Sequence, residues 1–156
     1  MSLNQAVAIM QEIPLFRKVD LKQLKVVAMM GETRKYRAGE RLFEKGDEGD
    51  AAFIIISGAV DVIVGVDGDE RSVATLGQGE IFGELAVLCD QPRTTAIGAH
   101  SDLEVLRLDR NVVMNLMREF PDISLEMVRI LGRRLERTTT ELSGALARLQ
   151  EFGEQG

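Results

Sequence analysis

The spacing of hydrophobic and polar positions changes twice along this chain, and the changes mark out three regions. Up to Met30 the spacing is helical. Leu3–Gln11 reads as a short helix that Pro14 stops, because the proline ring lacks an amide donor and crowds the preceding turn. Asp20 reads as the N-cap of a helix over Leu21–Met30, with apolar residues at Leu21, Leu24, Val27 and Ala28, and Gly31 closes its end. From Thr33 the spacing shortens to that of strands. Short β-rich runs follow at 34–37, 41–44, 52–57, 60–66, 71–76, 95–100 and 103–108, separated by turn signals such as Ser57-Gly58 and Asp67-Gly68-Asp69. Seven or eight short strands at this spacing predict an antiparallel barrel or jelly roll. In the run at 60–66, Val60, Val62 and Val64 share one face, expected to point inward, with Asp61 and Ile63 opposite.

Beyond Asp109 the helical spacing returns. Asp109 caps a helix through Arg118, and Pro121-Asp122 starts another that runs to about Phe152. In this last helix Val128, Leu131, Leu135, Thr138, Leu142, Ala145, Leu149 and Phe152 alternate at intervals of three and four. That is a coiled-coil seam, and a stripe so narrow predicts a homodimer through a second copy of the same helix. Thr138 interrupts the seam with a hydroxyl, so a polar partner is expected there. The predicted fold is therefore mainly β with flanking helices: a β-roll or jelly-roll barrel with N-terminal helices and a long C-terminal helix. It forms one domain over 1–156, divided into helices at 1–32, a β-roll at 33–108 and helices at 109–156.

Composition narrows the function classes. With 45% hydrophobic residues the chain can build a core, and no apolar run is long enough to span a membrane. A secretory signal is absent from the first ten residues, and Cys89 is the only cysteine, which together point to the cytoplasm. The net charge of −6 argues against a duplex-binding surface; Arg133, Arg134 and Arg137 cluster, but Glu126, Glu136 and Glu141 interleave with them. Neither nucleic acid nor membrane is expected as a partner.

The chemistry concentrates between the fifth and sixth predicted strands, from Gly79 to Ala96. Gly83 can adopt conformations closed to other residues and lets a ligand approach the backbone. Glu84 to Leu88 has the composition of about one helical turn, whose first amides are free donors. Pro92 fixes the approach of the returning strand, and Arg93 offers a rigid fork of donors for phosphate oxygens. Glu84 is an acceptor among donors, suited to a ligand hydroxyl. An anion beside a hydroxyl is what a ribose cyclic phosphate presents.

Phe82-Gly83-Glu84-Leu85-Ala86, followed by Pro92-Arg93-Thr94-Thr95-Ala96, resembles the phosphate-binding cassette of the cyclic nucleotide-binding domain family. The segment from Glu44 to Ile55 with Ser57-Gly58 resembles that family's glycine-marked β-roll, so the resemblance covers essentially the whole chain. It implies a site made of Phe82, Gly83, Glu84, Leu85, Ala86, Arg93, Thr94 and Thr95. In that site Glu84 accepts from the ribose 2′-OH, Arg93 neutralises the phosphate, and Val62 and Val73 form an apolar wall against the base. The last helix is similar to the dimer helix of bacterial cAMP receptor proteins, which implies that Thr138 and Thr139 meet adenine, one from each subunit. Thr94 directly after Arg93 resembles domains favouring guanine, while the helix threonines favour cAMP, the ligand expected here. Relatives that regulate transcription continue into a helix-turn-helix; this chain ends at Gly156, so DNA binding is not carried over. The expectation is a freestanding regulatory sensor acting on an unknown protein effector. Rival readings are a cGMP-selective sensor and a structural dimer that no longer binds nucleotide. An enzyme on a jelly roll is not expected. A metal site needs clustered ligands, whereas His100 is the only histidine and reads as a strand-end residue, leaving Cys89 without an imidazole to activate it beyond that one. No cofactor, metal or catalytic residue is expected.

Overall fold

A computed structural model describes residues 2–155. The first helix, α1 (Leu3–Gln11), starts at a capping box in which Ser2 and Gln5 exchange side-chain and backbone hydrogen bonds. A single 3-10 turn at Pro14–Phe16 follows, and then α2 (Leu21–Met30), opened by the same device between Asp20 and Gln23. Eight strands come next: β1 (Glu32–Tyr36), β2 (Arg41–Phe43), β3 (Ala51–Ser57), β4 (Val60–Val66), β5 (Asp69–Leu76), β6 (Ile81–Phe82), β7 (Ala96–Ala99) and β8 (Leu103–Asp109). A short helix, α3 (Glu84–Leu88), lies between β6 and β7, and α4 (Arg110–Glu119) and α5 (Pro121–Gln155) complete the chain.

The strands form two antiparallel four-stranded sheets, ordered β1-β8-β3-β6 and β2-β7-β4-β5. β3 explains how two cores arise from one strand. Its residues Ala51 to Ile56 are all buried, against the usual alternation. Ala51, Phe53 and Ile55 face the space between the sheets, where they meet Val60, Leu76, Phe82, Ile97 and Val105. Ala52, Ile54 and Ile56 face the other way and are covered by Met10, Phe16, Leu24, Val27, Val112 and Ile123 from the helices. The helices therefore pack on the outside of the first sheet, and the second sheet faces the interior of the roll.

Two features were not legible in the strand pattern. β6 is only two residues long and pairs Phe82 with Phe53 and Ile81 with Ile54, so it falls below the length at which alternation can be seen. The inward valine face of β4 holds for Val60 and Val62 and stops there. A register shift between Val62 and Ile63 breaks the alternation, and Val64 does not join the inner core. His100 lies just beyond β7, with Nδ1 at 3.0 Å from Asp61. Hydrogen bonds from His100, Thr75 and Ser72 outweigh the upward push of burial and hold the Asp61 carboxyl below its ordinary value.

α5 begins in contact with the domain and then leaves it. Ile123 and Met127 are buried beneath it, whereas Val128, Leu135, Leu142, Leu149 and Phe152 are 58–74% exposed. Apart from Leu131, which is partly buried against the outer core, the seam seen in the sequence is largely an exposed apolar stripe on a projecting helix.

Candidate functional site

The cassette is held by its neighbours before any ligand is considered. The Arg93 amide donates to the Asp47 carbonyl and the Gly46 amide to the Arg93 carbonyl, which ties the returning chain to the loop ahead of β3. That loop sits on α3: a Cβ on Gly49 would lie 2.2 Å from the Ala86 Cβ. Gly83 is the N-cap of α3 with φ +78, a left-handed conformation that strains other residues. A Cβ there would also come within 2.8 Å of Arg93 Nη1. The glycine is required twice, by its backbone and by the arginine lying against it.

Arg93 is 3% exposed. Nη1 donates to the Gly83 carbonyl at 2.8 Å and Nη2 to the Ala51 carbonyl at 2.7 Å. Its guanidinium stacks over Phe43 at 4.1 Å from the ring centroid, with Phe53 at 5.9 Å. The nearest carboxylate, Asp50, is 3.7 Å away and mostly exposed, and Nε is buried with no hydrogen-bond partner among the described residues. Burial lowers the Arg93 pKa from its ordinary value. The cation is thus oriented by carbonyls and an aromatic face but poorly neutralised, an arrangement that favours an incoming anion.

Glu84 is also 3% exposed. Its Oε1 accepts from Arg134 Nη1 of α5 at 2.9 Å, and Arg134 Nη2 donates to the Ile81 carbonyl. Burial nevertheless raises the Glu84 pKa above its ordinary value, against the pull of Arg134.

These two side chains open onto a cavity of about 400 Å³. Of the residues expected from the sequence, Phe82, Gly83, Glu84, Leu85, Ala86, Arg93, Thr94, Thr95, Val62, Val73 and Thr138 line it together. Thr139 does not; it lies exposed on α5, away from this chain's own cavity, where a role at the ligand would be toward a second subunit. Several lining residues were missed. Phe43, Leu76 and Ile97 form apolar wall, and Arg134, Arg137 and Glu141 come from α5. A signal for the last group existed, since positions 134, 138 and 141 repeat on one face of a helix. Phe43 had none, because its contact with Arg93 joins residues far apart in the chain. Among the described residues no group of three His, Cys, Asp or Glu could hold a metal ion, and no helix is long and apolar enough to cross a membrane.

A family model for the cyclic nucleotide-binding domain matches residues 33–120. The chain is 32% identical over 134 residues to the cyclic AMP receptor protein of Thermus thermophilus, covering 85% of this chain and 62% of that protein's length. The crystal structure of the Thermus thermophilus catabolite activator protein superposes with a TM-score of 0.75 at 32% identity, covering 83% of this chain and 62% of that one. The regulatory domain of Toxoplasma gondii PKA, co-crystallised with cAMP, superposes with a TM-score of 0.63 at 32% identity, covering 70% of this chain and 42% of that one.

Proposed function

We propose that this chain, which belongs to the cyclic nucleotide-binding domain family, binds cAMP and acts as a cytoplasmic regulatory sensor rather than an enzyme, passing its ligand state to a protein partner. The observation that carries the reading is the under-neutralised guanidinium of Arg93, buried at one end of a 400 Å³ cavity with Nε unpartnered among the described residues. A cyclic phosphate monoanion supplies the missing charge and oxygen acceptors. The ribose 2′-OH then reaches Glu84, and the base occupies the remaining space between Val62, Val73 and Leu76 on one side and α5 on the other.

The preference for cAMP over cGMP rests on that α5 wall. The Thr138 hydroxyl and the Glu141 carboxylate both line it, one helical turn apart, and both can accept from the 6-amino group of adenine. Guanine presents a carbonyl at the same ring position. The exposed seam of α5 supports a homodimer, which brings Thr139 of a second copy within reach of the site. Two of the comparisons support this reading: the Thermus thermophilus relative is named a cyclic AMP receptor protein, and the Toxoplasma gondii domain was crystallised with cAMP.

Calorimetric titration with cAMP and cGMP tests the proposal. Saturable one-to-one binding with cAMP the tighter ligand is the expected result. Titrations silent for both nucleotides would leave only a structural dimer, and equal affinities would remove the adenine assignment.

A further inference from the structure

Arg93 lacks the close counter-ion that a buried guanidinium ordinarily keeps. Its ion-pair partner among the described residues is Asp50, at 3.7 Å, and that carboxylate lies closer to Arg107, at 3.1 Å. Glu84 and Asp47 pull on it from farther off, the first already paired with Arg134. What covers the guanidinium is a ring, with the Phe43 centroid 4.1 Å from Cζ. We propose that Phe43 is a positioning residue for the phosphate site, a role that rests on the nucleotide reading above. Its ring holds Arg93 where a carboxylate would otherwise stand, so that the charge and the remaining N–H groups stay available to the ligand.

The aim of the ring is built into β2. Arg41 pairs with Gly98 and Phe43 with Ile97, two residues of β2 against one of β7, and such a bulge re-aims the side chains beside it. Phe43 also leans on two other rings. Phe53 and Phe82 stack on each other at 5.0 Å and 7°, and the Phe43 centroid lies 6.1 and 6.3 Å from theirs, tilted by 36° and 41°. Tilted rings at these separations attract one another, which fixes Phe43 as a support for the arginine.

An aliphatic side chain would serve equally as cavity wall, as Val62, Leu76 and Ile97 do. The ring does more, because its negative face attracts a cation without neutralising it. It also leaves the edge of the guanidinium plane alone. Of the five N–H donors two go to the Gly83 and Ala51 carbonyls, and the buried Nε–H is among the three left. A carboxylate in the same place would take two donors and cancel the charge. Without the ring the guanidinium can close the gap to Asp50, and a phosphate would then have to displace that carboxylate.

The unaltered chain is compared with Phe43→Leu and with a chain in which Phe43 alone is replaced by a trifluorinated phenylalanine. The latter keeps nearly the same size but withdraws charge from the ring face. The first measurement is the Arg93 Nε–H resonance of the ligand-free chain, identified by its loss in Arg93→Lys. Protons over an aromatic face are shielded, so the resonance should lie upfield in the unaltered protein and move downfield in Phe43→Leu. The second is calorimetric titration. Phe43→Leu should weaken cAMP and cGMP alike, by about ten-fold or ~1.4 kcal/mol, because the ring acts on the phosphate that both share. The fluorinated chain should weaken both at least about three-fold with its circular dichroism spectrum unchanged, and it decides the matter if Phe43→Leu fails to fold. An Arg93 resonance that stays in place in Phe43→Leu overturns the proposal. So does unchanged cAMP affinity in either altered chain, which would reduce Phe43 to packing, and so do unequal losses for the two nucleotides, which would make it a base contact. Were the nucleotide reading itself wrong, the unaltered chain would give no heat with either nucleotide, and the resonance would still decide whether Phe43 holds Arg93.

Discussion

At the residue scale the site depends on a pair of opposite charges that fail to neutralise each other. Arg93 and Glu84 are both buried, yet the first is held by two carbonyls and the second by Arg134 of a distant helix. Truncating a buried charge partner costs ~2–5 kcal/mol of binding, so Arg93→Ala is expected to weaken cAMP by roughly 30- to 4,000-fold in calorimetry. Unchanged affinity would detach the phosphate from this side chain. Gly83→Ala should lose ~1–2 kcal/mol of stability from its positive φ alone, measured by urea denaturation, and should displace Arg93 as well. Glu84 makes the stability depend on pH. Its folded pKa is raised above the ordinary 4.5, so between those values the folded state holds a proton that the unfolded chain has released. The contribution is whole below pH 4.5 and is lost as pH climbs through the raised value. Urea denaturation over that range should show the unaltered protein losing stability relative to Glu84→Gln as pH rises. A constant difference between the two proteins would mean the carboxyl titrates normally.

At the element scale α5 does three things along its length. Its first turns cover the outer core with Ile123 and Met127, its middle reaches Glu84 through Arg134 and the cavity through Thr138, and its remainder presents the uncovered seam. The same helix thus touches the cassette, lines the cavity and carries the exposed seam, so in the proposed reading it gives a ligand signal a rigid path outward. Leu135 and Leu142 sit on the seam without entering the domain core, so Leu142→Glu is expected to convert the dimer to a monomer in sedimentation analysis while leaving the roll folded. A monomeric starting protein would remove the dimer from the proposal. Thr138→Ala should weaken cAMP more than cGMP, and equal loss would show that the hydroxyl does not read the base.

At the scale of the whole molecule, binding to the folded state alone adds stability by mass action. At a hundred-fold excess of cAMP over its Kd the gain is ~2.7 kcal/mol. For a chain of this size that corresponds to a rise in Tm of roughly 5–10 °C, readable by differential scanning calorimetry. The Arg93→Ala protein, its Kd raised roughly 30- to 4,000-fold, should keep at most about 0.9 kcal/mol of it at the same concentration.

The elements were largely written in the local chain. Caps at Asp20 and Asp109, the bounds of α1, α2 and β4, and the one-turn α3 all follow from residues within a few positions of each other, and the structure places them there. The cassette was legible for the same reason, because Gly83, Glu84 and Arg93 fall within one short stretch. What the chain could not reveal locally was how those groups are satisfied: Arg93 over Phe43, its hydrogen bond to the Ala51 carbonyl, and Glu84 against Arg134, fifty positions away. β6 was equally hidden, since two residues become a strand only when β3 is beside them. Sequence determined which chemical groups are present and which local conformations they adopt, because propensity, capping and alternation act over a few residues. The tertiary structure alone decided which of those groups are dry and whom they face, because burial and charge pairing are set by chain segments that meet only after folding.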